Sequence, residues 1–240
     1  MKKVLFVINT LGCAGAETAL IELLKSLDEK EYELSLYVLM GQGEMIDKIP
    51  ENVKLLNDHY CKDSVLSKQG KQAMMKTVWR SFWENGNVFG KFAYIVRTFS
   101  AMRRTGKFQP DKILWRVISD GSPRFEETYD LAVAYLEGGS TYYVADHVKA
   151  KKKAAFIHID YENSGYTRGM DRNCFDKMDR IFTVSDEVKK HFLNVYPKYQ
   201  DKVKVFHNII NQDEIRRKAE EETGFEDHFD GVRLLTVWNG

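Results

Sequence analysis

Short apolar runs that alternate with helical patterns constrain the fold of this chain more than any other feature. Seven runs rich in Val, Ile, Leu, Phe and Tyr predict strands, and several are apolar throughout, which is typical of strands buried on both faces of a parallel sheet. They cover residues 3–9, 31–40, 53–56, 129–135, 152–158, 180–185 and 202–208.

Segments between these runs carry helical patterns. Four leucines between residues 20 and 27 recur at the i, i+3, i+4, i+7 spacing of one helix face. Further helices are predicted over residues 140–147 and 186–196, the latter with Ser185 as its N-cap. Strands that alternate with helices predict a parallel sheet with right-handed crossovers. We therefore expect an α/β fold, a Rossmann-like doubly wound parallel sheet.

Composition suits a globular protein with a sizeable core, since 43% of the 240 residues are hydrophobic and 30% are charged. The formal net charge of +1 favours no particular partner, and no apolar run approaches the roughly 18 residues of a membrane span. The first apolar run is too short for a signal peptide. Cys13, Cys61 and Cys174 lie far apart without a pairing or metal-binding spacing, so we expect a reducing cytoplasm.

Residues 60–107 differ from the rest of the chain. They hold ten Lys and Arg against two acids, together with many aromatic residues, and predict two amphipathic helices joined near residues 84–90. Three interpretations stay open. Trp79, Trp83, Arg97 and Arg104 could lie on an anionic membrane surface. The cations could bind nucleic acid, although no nucleic-acid motif accompanies them, or the aromatics could pack on the sheet while the cations are solvated.

The C-terminal stretch suggests a domain boundary. We assign residues 1–211 to one Rossmann-like domain with the basic and aromatic stretch inserted in it. Residues 212–230 are polar and predict a helix and a linker, and residues 231–240 predict the first strand of another domain.

Polar and glycine residues gather after the predicted strands, where ligands bind in open parallel sheets. After the first strand, Gly12 and Gly15 lead into a helix, and they could either form a tight turn or admit a phosphate to the helix N-terminus. Glu17, in the first turn of that helix, could complement the helix dipole or contact a ligand.

The later strands are followed by further candidates. Glu137 and Gly138 could place a carboxylate beside a flexible loop or form an ordinary turn. His158 could relay a proton or bind a hydroxyl or phosphate, or it could be a core histidine bonded to the backbone. Asp160 could hold a sugar hydroxyl or start a turn, and Asn208 follows the last strand. No catalytic-triad or metal-ligand spacing stands out.

Several blocks together resemble the N-terminal domain of the family 4 glycosyltransferases of the GT-B fold. The blocks are KKVLFVINTLGCAGAETALIELLKSL, YDLAVAYLEGGSTYYVADHV, KKKAAFIHIDY and RIFTVSDEVKKHFLNVYPKYQDKVKVFHNIIN. The glycine-rich turn of that family, G-G-A-E, corresponds here to residues 14–17 and has Ala14 at its first place.

This resemblance implies a domain that binds a polysaccharide or lipid-linked acceptor at the inner face of the cell membrane. A second domain would bind the nucleotide-sugar donor, and the sugar would be transferred with retention and without a metal. Gly15 would then approach the donor diphosphate, and His158 would lie in the cleft near the acceptor and serve as the catalytic residue. Glu17, Ser185 and Asn208 would face the same cleft. Because the chain ends where the second domain would open, we expect it to be inactive alone.

Two other functions remain as alternatives. A non-catalytic membrane-surface module would use the basic and aromatic stretch in place of the sheet edge. A nucleotide-binding Rossmann oxidoreductase is disfavoured because the chain lacks G-x-G-x-x-G and has Met40 and Gly41, not an acid, after the second strand.

Overall fold

A computed structural model describes residues 1–105, 109–221 and 231–232. It divides the chain into two units, Met1–Ile209 and Ile210–Gly240. The first unit contains one sheet of seven parallel strands in the order β3-β2-β1-β4-β5-β6-β7. The strands are β1 (Lys2–Ile8), β2 (Tyr32–Val38), β3 (Val53–Leu55), β4 (Thr128–Ala134), β5 (Lys149–Ile157), β6 (Arg180–Thr183) and β7 (Val203–Val205). The predicted doubly wound α/β fold is confirmed, and each predicted strand has its counterpart.

Seven α-helices of the first unit connect or cover these strands. They are α1 (Gly15–Ser26), α2 (Lys68–Trp83), α3 (Val88–Thr105), α4 (Pro110–Gly121), α5 (Gly139–His147), α6 (Arg168–Asp171) and α7 (Asp186–Val195). The pair predicted within residues 60–107 is present as α2 and α3, whereas α4 and α6 were not predicted. Ser185 caps α7 as expected, because its hydroxyl accepts the Val188 N–H at 3.2 Å. None of the described helices is long and apolar enough to cross a membrane.

Apolar side chains on both faces of each central strand create two cores. Phe6 and Ile8 of β1 point to the side covered by α1, where Leu20 and Leu24 meet them. The alternate residues of β1 lie in the larger core on the opposite face, which is covered by α3, α4, α5 and α7. Burial on both faces explains why these strands are continuous apolar runs.

The second unit contains α8 (Gln212–Ala219), whose N-cap Asn211 accepts the Glu214 N–H at 3.0 Å. The helix is wholly solvated, and i,i+4 ion pairs such as Lys218–Glu214 run along it. The linker predicted to reach residue 230 and the strand predicted over residues 231–240 fall almost entirely outside the described residues, and both stay predictions.

A buried lysine joins α2 to α3. Lys91 of α3 is 4% exposed, and its ammonium donates to the carbonyls of Ser81 and Glu84 at 2.7 and 2.6 Å and to that of Phe82 at 3.3 Å. These carbonyls belong to the last turn of α2 and the residue that follows it, where helical partners are lacking. One cation therefore caps α2 and fixes the helical hairpin.

A buried aspartate, Asp171, joins four other segments. Asp171 is 1% exposed and accepts hydrogen bonds from the hydroxyls of Tyr142 at 2.9 Å, Tyr161 at 3.0 Å and Tyr196. Arg116 of α4 donates to the Asp171 carbonyl at 3.2 Å. Burial raises the pKa of Asp171 to about 6, although the three tyrosine hydroxyls and Arg116 act in the opposite direction.

The Lys91→Met variant tests the hairpin cap. It keeps most of the side-chain volume but leaves the carbonyls at the end of α2 without their donor, so we expect the free energy of unfolding to fall by about 2 kcal/mol. Urea denaturation measures the change. Lys76→Met, at an exposed position of α2, is the control and should be near neutral; equal losses in both variants would contradict the capping role.

The Asp171→Asn variant tests the buried carboxylate through pH. Because the folded pKa lies above the usual 3.8, the stabilisation from this group is present below about pH 4 and is lost as pH rises through about 6. Asparagine resembles the neutral acid and cannot ionise. We therefore expect the stability cost of the substitution to be largest near pH 4 and to shrink by about 3 kcal/mol toward pH 8.

Asp146→Asn is the matched control with the opposite sign. Burial alone would raise the pKa of Asp146, but the hydrogen bond from Lys177 and the charge of Arg116 hold it below its usual value. The cost of this substitution should therefore grow as pH rises. Urea denaturation between pH 4 and 8 measures the free energy of unfolding of both variants. A stability cost of Asp171→Asn that is constant with pH would contradict the raised pKa.

Candidate functional site at the switch point of the sheet

The strand order places a topological switch point between β1 and β4, because the chain runs outward from β1 through β2 to β3 and then returns to β4 on the other side. Ligands of open α/β sheets bind outside the carboxyl ends of the strands at such a point. The loop after β1 and the loop after β4 therefore define the candidate site, and we call it the switch-point edge (residues 9–17, 136–139 and 158).

Asn9 fastens these two loops together. Its amide donates to the Glu137 carbonyl at 3.0 Å, and its side-chain oxygen accepts the Ser140 N–H at 2.7 Å. The Ser140 amide belongs to the first turn of α5, so a side chain from β1 occupies that helix N-terminus. Asn9 thus has a positioning role.

The N-terminus of α1 has no such cap. Ala14 occupies the N-cap position and offers no side-chain acceptor to the first amides of the helix. Space around Gly15 is open, since a Cβ built there would have no heavy atom within 4 Å. The structure therefore leaves the start of α1 accessible from the side on which Gly15 lies.

Neither glycine of this turn is required by the fold. Gly12 and Gly15 do not adopt positive φ, and a Cβ at Gly12 would lie 3.5 Å from the Glu44 carboxylate, which is an ordinary contact. Gly138 is different, because its φ of 77° is strained for other residues and a Cβ there would overlap the Tyr166 hydroxyl. No backbone angle or steric overlap thus demands glycine at positions 12 and 15, and both interpretations of the first turn stay open.

Two buried carboxylates lie beside this turn. Glu17 is 7% exposed and accepts the Thr10 hydroxyl at 3.4 Å, and burial raises its pKa. Glu137 accepts the His158 N–H at 3.0 Å, and burial raises the pKa of its carboxyl as well. Both acids therefore take up a proton more readily than an exposed glutamate, which weakens their repulsion of an anion. Glu137 joins the loops after β4 and β5.

His158 presents a ring nitrogen without a partner. Its ring lies beside the stacked rings of Tyr135 and Phe156, at centroid distances of 5.2 and 6.1 Å. Nε2 is buried, and within the described part of the chain no group hydrogen bonds to it. Burial lowers the pKa of His158 to about 4, so the imidazole is neutral at neutral pH. A buried unsatisfied nitrogen of this kind is costly without a ligand.

The remaining predicted site residues lie on neighbouring loops. Asp160 organises a turn, since it accepts the Glu162 N–H at 3.0 Å and the Asn163 side-chain amide at 2.7 Å. Ser185 caps α7, and the side-chain oxygen of Asn208 is buried and lacks a partner among the described residues. Among the described residues, a hydrogen bond connects Glu137 with His158, whereas no hydrogen bond joins either of them to Ser185 or Asn208.

Some features of this edge could not be predicted from the sequence. Glu44 follows β2 and Tyr166 follows β5, so both approach the edge through loops whose paths no local pattern reveals. Asn9 was visible as a polar residue at a strand end, but its bridging role was not.

A hollow of about 520 Å³ lies between β2 and α2, and Met40 in its wall donates its N–H to the Asn9 carbonyl at 2.9 Å. Its walls carry Lys76, Arg80 and His59 together with the acids Asp58 and Glu84, so its charge is mixed. Trp79, Trp83, Arg97 and Arg104 of the predicted membrane surface lie on the exposed sides of α2 and α3.

Comparison of the sequence with models of known protein families and with curated proteins finds no match.

A neutral His158 is directly testable by proton–carbon NMR of the histidine Cε1–Hε1 groups. We expect its signal, assigned by its loss in His158→Gln, to titrate with a midpoint near pH 4 and to be constant from about pH 6 to 8. A midpoint near 6.5 would show that the ring is solvated and would remove the unsatisfied nitrogen from the site.

Proposed function

We propose that Met1–Ile209 is the acceptor-side domain of a retaining glycosyltransferase, which moves a sugar from a nucleotide-sugar donor to a polysaccharide or lipid-linked acceptor of the cell envelope. The observation that carries this proposal is the first turn, which has two glycines although neither adopts a positive φ and a Cβ at either would overlap nothing. Close approach of a ligand to the backbone explains them.

A diphosphate is the ligand that suits the start of α1. Free amides and the partial positive charge of a helix N-terminus bind phosphate oxygens, and the open side at Gly15 admits them. During transfer, the bond between the anomeric carbon and the diphosphate oxygen breaks, and negative charge develops on that oxygen. Amides fixed in place before the reaction would stabilise this charge, as donors of an oxyanion hole do.

The second part of the proposal concerns His158. Its neutral Nε2 can exchange a hydrogen bond with a hydroxyl of the sugar or the acceptor, which would satisfy the buried nitrogen. As the new bond from the anomeric carbon to the acceptor oxygen forms, the acceptor hydroxyl loses its proton to the leaving diphosphate oxygen. A neutral imidazole that is hydrogen-bonded to this hydroxyl can orient it for that transfer. No metal or other cofactor takes part in this scheme. The resemblance of residues 14–17 to the turn of family 4 glycosyltransferases supports the same assignment.

Titration with inorganic pyrophosphate and with UDP, followed by proton–nitrogen NMR, tests the proposal. We expect the amides of residues 14–18 to shift at millimolar ligand and the neighbours of His158 to respond to UDP-sugars. A Cβ at Gly15 would meet no heavy atom within 4 Å, so Gly15→Val should weaken binding at least about tenfold while changing the free energy of unfolding by less than about 1 kcal/mol.

Gly169→Ala provides the control, because a Cβ there meets only the Thr167 hydroxyl at 3.8 Å and lies on α6. It should bind like the unchanged protein. Absence of shifts at α1, or equal binding by Gly15→Val, would overturn the proposal.

A further inference from the structure

Two exposed apolar stripes run along α2 and α3. Trp79 and Trp83 of α2 are 67% and 54% exposed, and Phe89 and Phe92 of α3 are 90% and 60% exposed. Met75 and Val96 extend these stripes at the i, i+4 spacing of one helix face. Side chains of this size are seldom left in water as a contiguous set unless a partner covers them.

The opposite faces of both helices are already used. Val78 and Phe82 of α2 and Tyr94 and Met102 of α3 pack into the larger core. Lys91 points the same way and caps α2. The exposed stripes are therefore a second apolar face of each helix, in addition to the face that folding requires.

Charge around the stripes has a single sign. α2 and α3 contain no Asp or Glu, and seven of their eight Lys and Arg residues are exposed. On α2, Lys71 lies on one side of the Trp79 stripe and Lys76 and Arg80 lie on the other; on α3, Arg97 and Arg104 lie beside Phe92 and Val96, as helical spacing requires. We call these exposed residues of the two helices the hairpin surface. It consists of Lys68, Lys71, Met75, Lys76, Trp79, Arg80, Trp83, Phe89, Phe92, Val96, Arg97, Arg103 and Arg104.

We propose that the hairpin surface docks on a lipid bilayer that contains anionic headgroups. Amphipathic helices with Trp and Phe on one side and cations beside them lie in the interface between headgroups and acyl chains. There the indole rings occupy the headgroup level, and each cation is attracted by the negative surface potential. This proposal does not rest on the glycosyltransferase proposal.

Charge also distinguishes the bilayer from other occupants. A second copy of the chain would bring seven cations against seven, and like charges at an interface oppose association. Nucleic acid would satisfy the cations and could stack on the aromatic rings, but it would leave the apolar side chains of Met75 and Val96 uncovered. An anionic bilayer satisfies both the cations and the apolar stripe.

Vesicle flotation combined with tryptophan fluorescence tests this docking. The full chain is mixed with vesicles of phosphatidylglycerol and phosphatidylcholine in equal amounts, and separately with phosphatidylcholine alone. We expect binding to the anionic vesicles, at least about tenfold weaker binding to the neutral ones, and release at high salt. Tryptophan emission should shift to shorter wavelength and be quenched by brominated lipids, and Trp79→Phe with Trp83→Phe should remove most of that response.

Variants locate the surface. Arg97→Glu with Arg104→Glu should weaken binding to anionic vesicles at least about tenfold, and Phe89→Gln with Phe92→Gln should weaken it while sparing the unfolding midpoint. Lys190→Glu with Lys204→Glu changes the net charge equally at exposed positions of α7 and β7 and should bind normally. The proposal is overturned if anionic vesicles do not bind, if the control loses as much as the arginine variant, or if the hairpin variants instead abolish a dimer or nucleic-acid binding.

Discussion

One buried carboxylate, that of Asp171, positions much of the structure around the candidate site. It receives the hydroxyls of Tyr142, Tyr161 and Tyr196, which come from α5, the loop after β5 and the end of α7. The Tyr161 ring stacks on Tyr166 at 5.5 Å, and the Tyr166 hydroxyl fills the space beside Gly138. The hydrogen-bond network of Asp171 thus fixes both the turn after β4 and the loop after His158.

Strands were easier to predict from the sequence than the helix α4. The central strands β1 and β2 were predictable because most of their residues are buried on both faces, so that a continuous apolar run and burial coincide. The edge strands β3 and β7 have an exposed middle residue each and were predictable from their short apolar runs. The helix α4 was not predicted. Its central residue Arg116 is fully buried, whereas a hydrophobicity pattern assigns a charged residue to the surface. Its charge is compensated by Asp146 at 2.5 Å and by the carbonyls of Met170 and Asp171. Such compensation is a tertiary property that no local pattern contains.

Part of the candidate site was also predictable from the sequence, and part required the structure. Position at the carboxyl edge followed from the order of strands and helices, and it placed Gly12, Gly15, Glu137 and His158 correctly at that edge. The sequence alone left open whether the glycines served the turn or a ligand, since both need a small residue. Backbone angles and free space show where glycine is sterically required, which is at Gly138 but not at positions 12 and 15, and they leave the ligand interpretation to experiment.

The hairpin surface and the switch-point edge share a structural boundary. α2 begins where Gly70 lies against the Gln42 side chain, and the Gln42 carbonyl accepts the Leu11 N–H at 2.9 Å from the loop after β1. Lys91 then fixes α3 to α2, so that both helices are rigidly connected to the turn that opens α1. A protein docked through this hairpin would hold its sheet edge at a constant place relative to the bilayer. If both proposals hold, an acceptor with a lipid anchor would reach the edge beside His158 while its chain stays in the membrane, which reduces the translational entropy lost in the encounter.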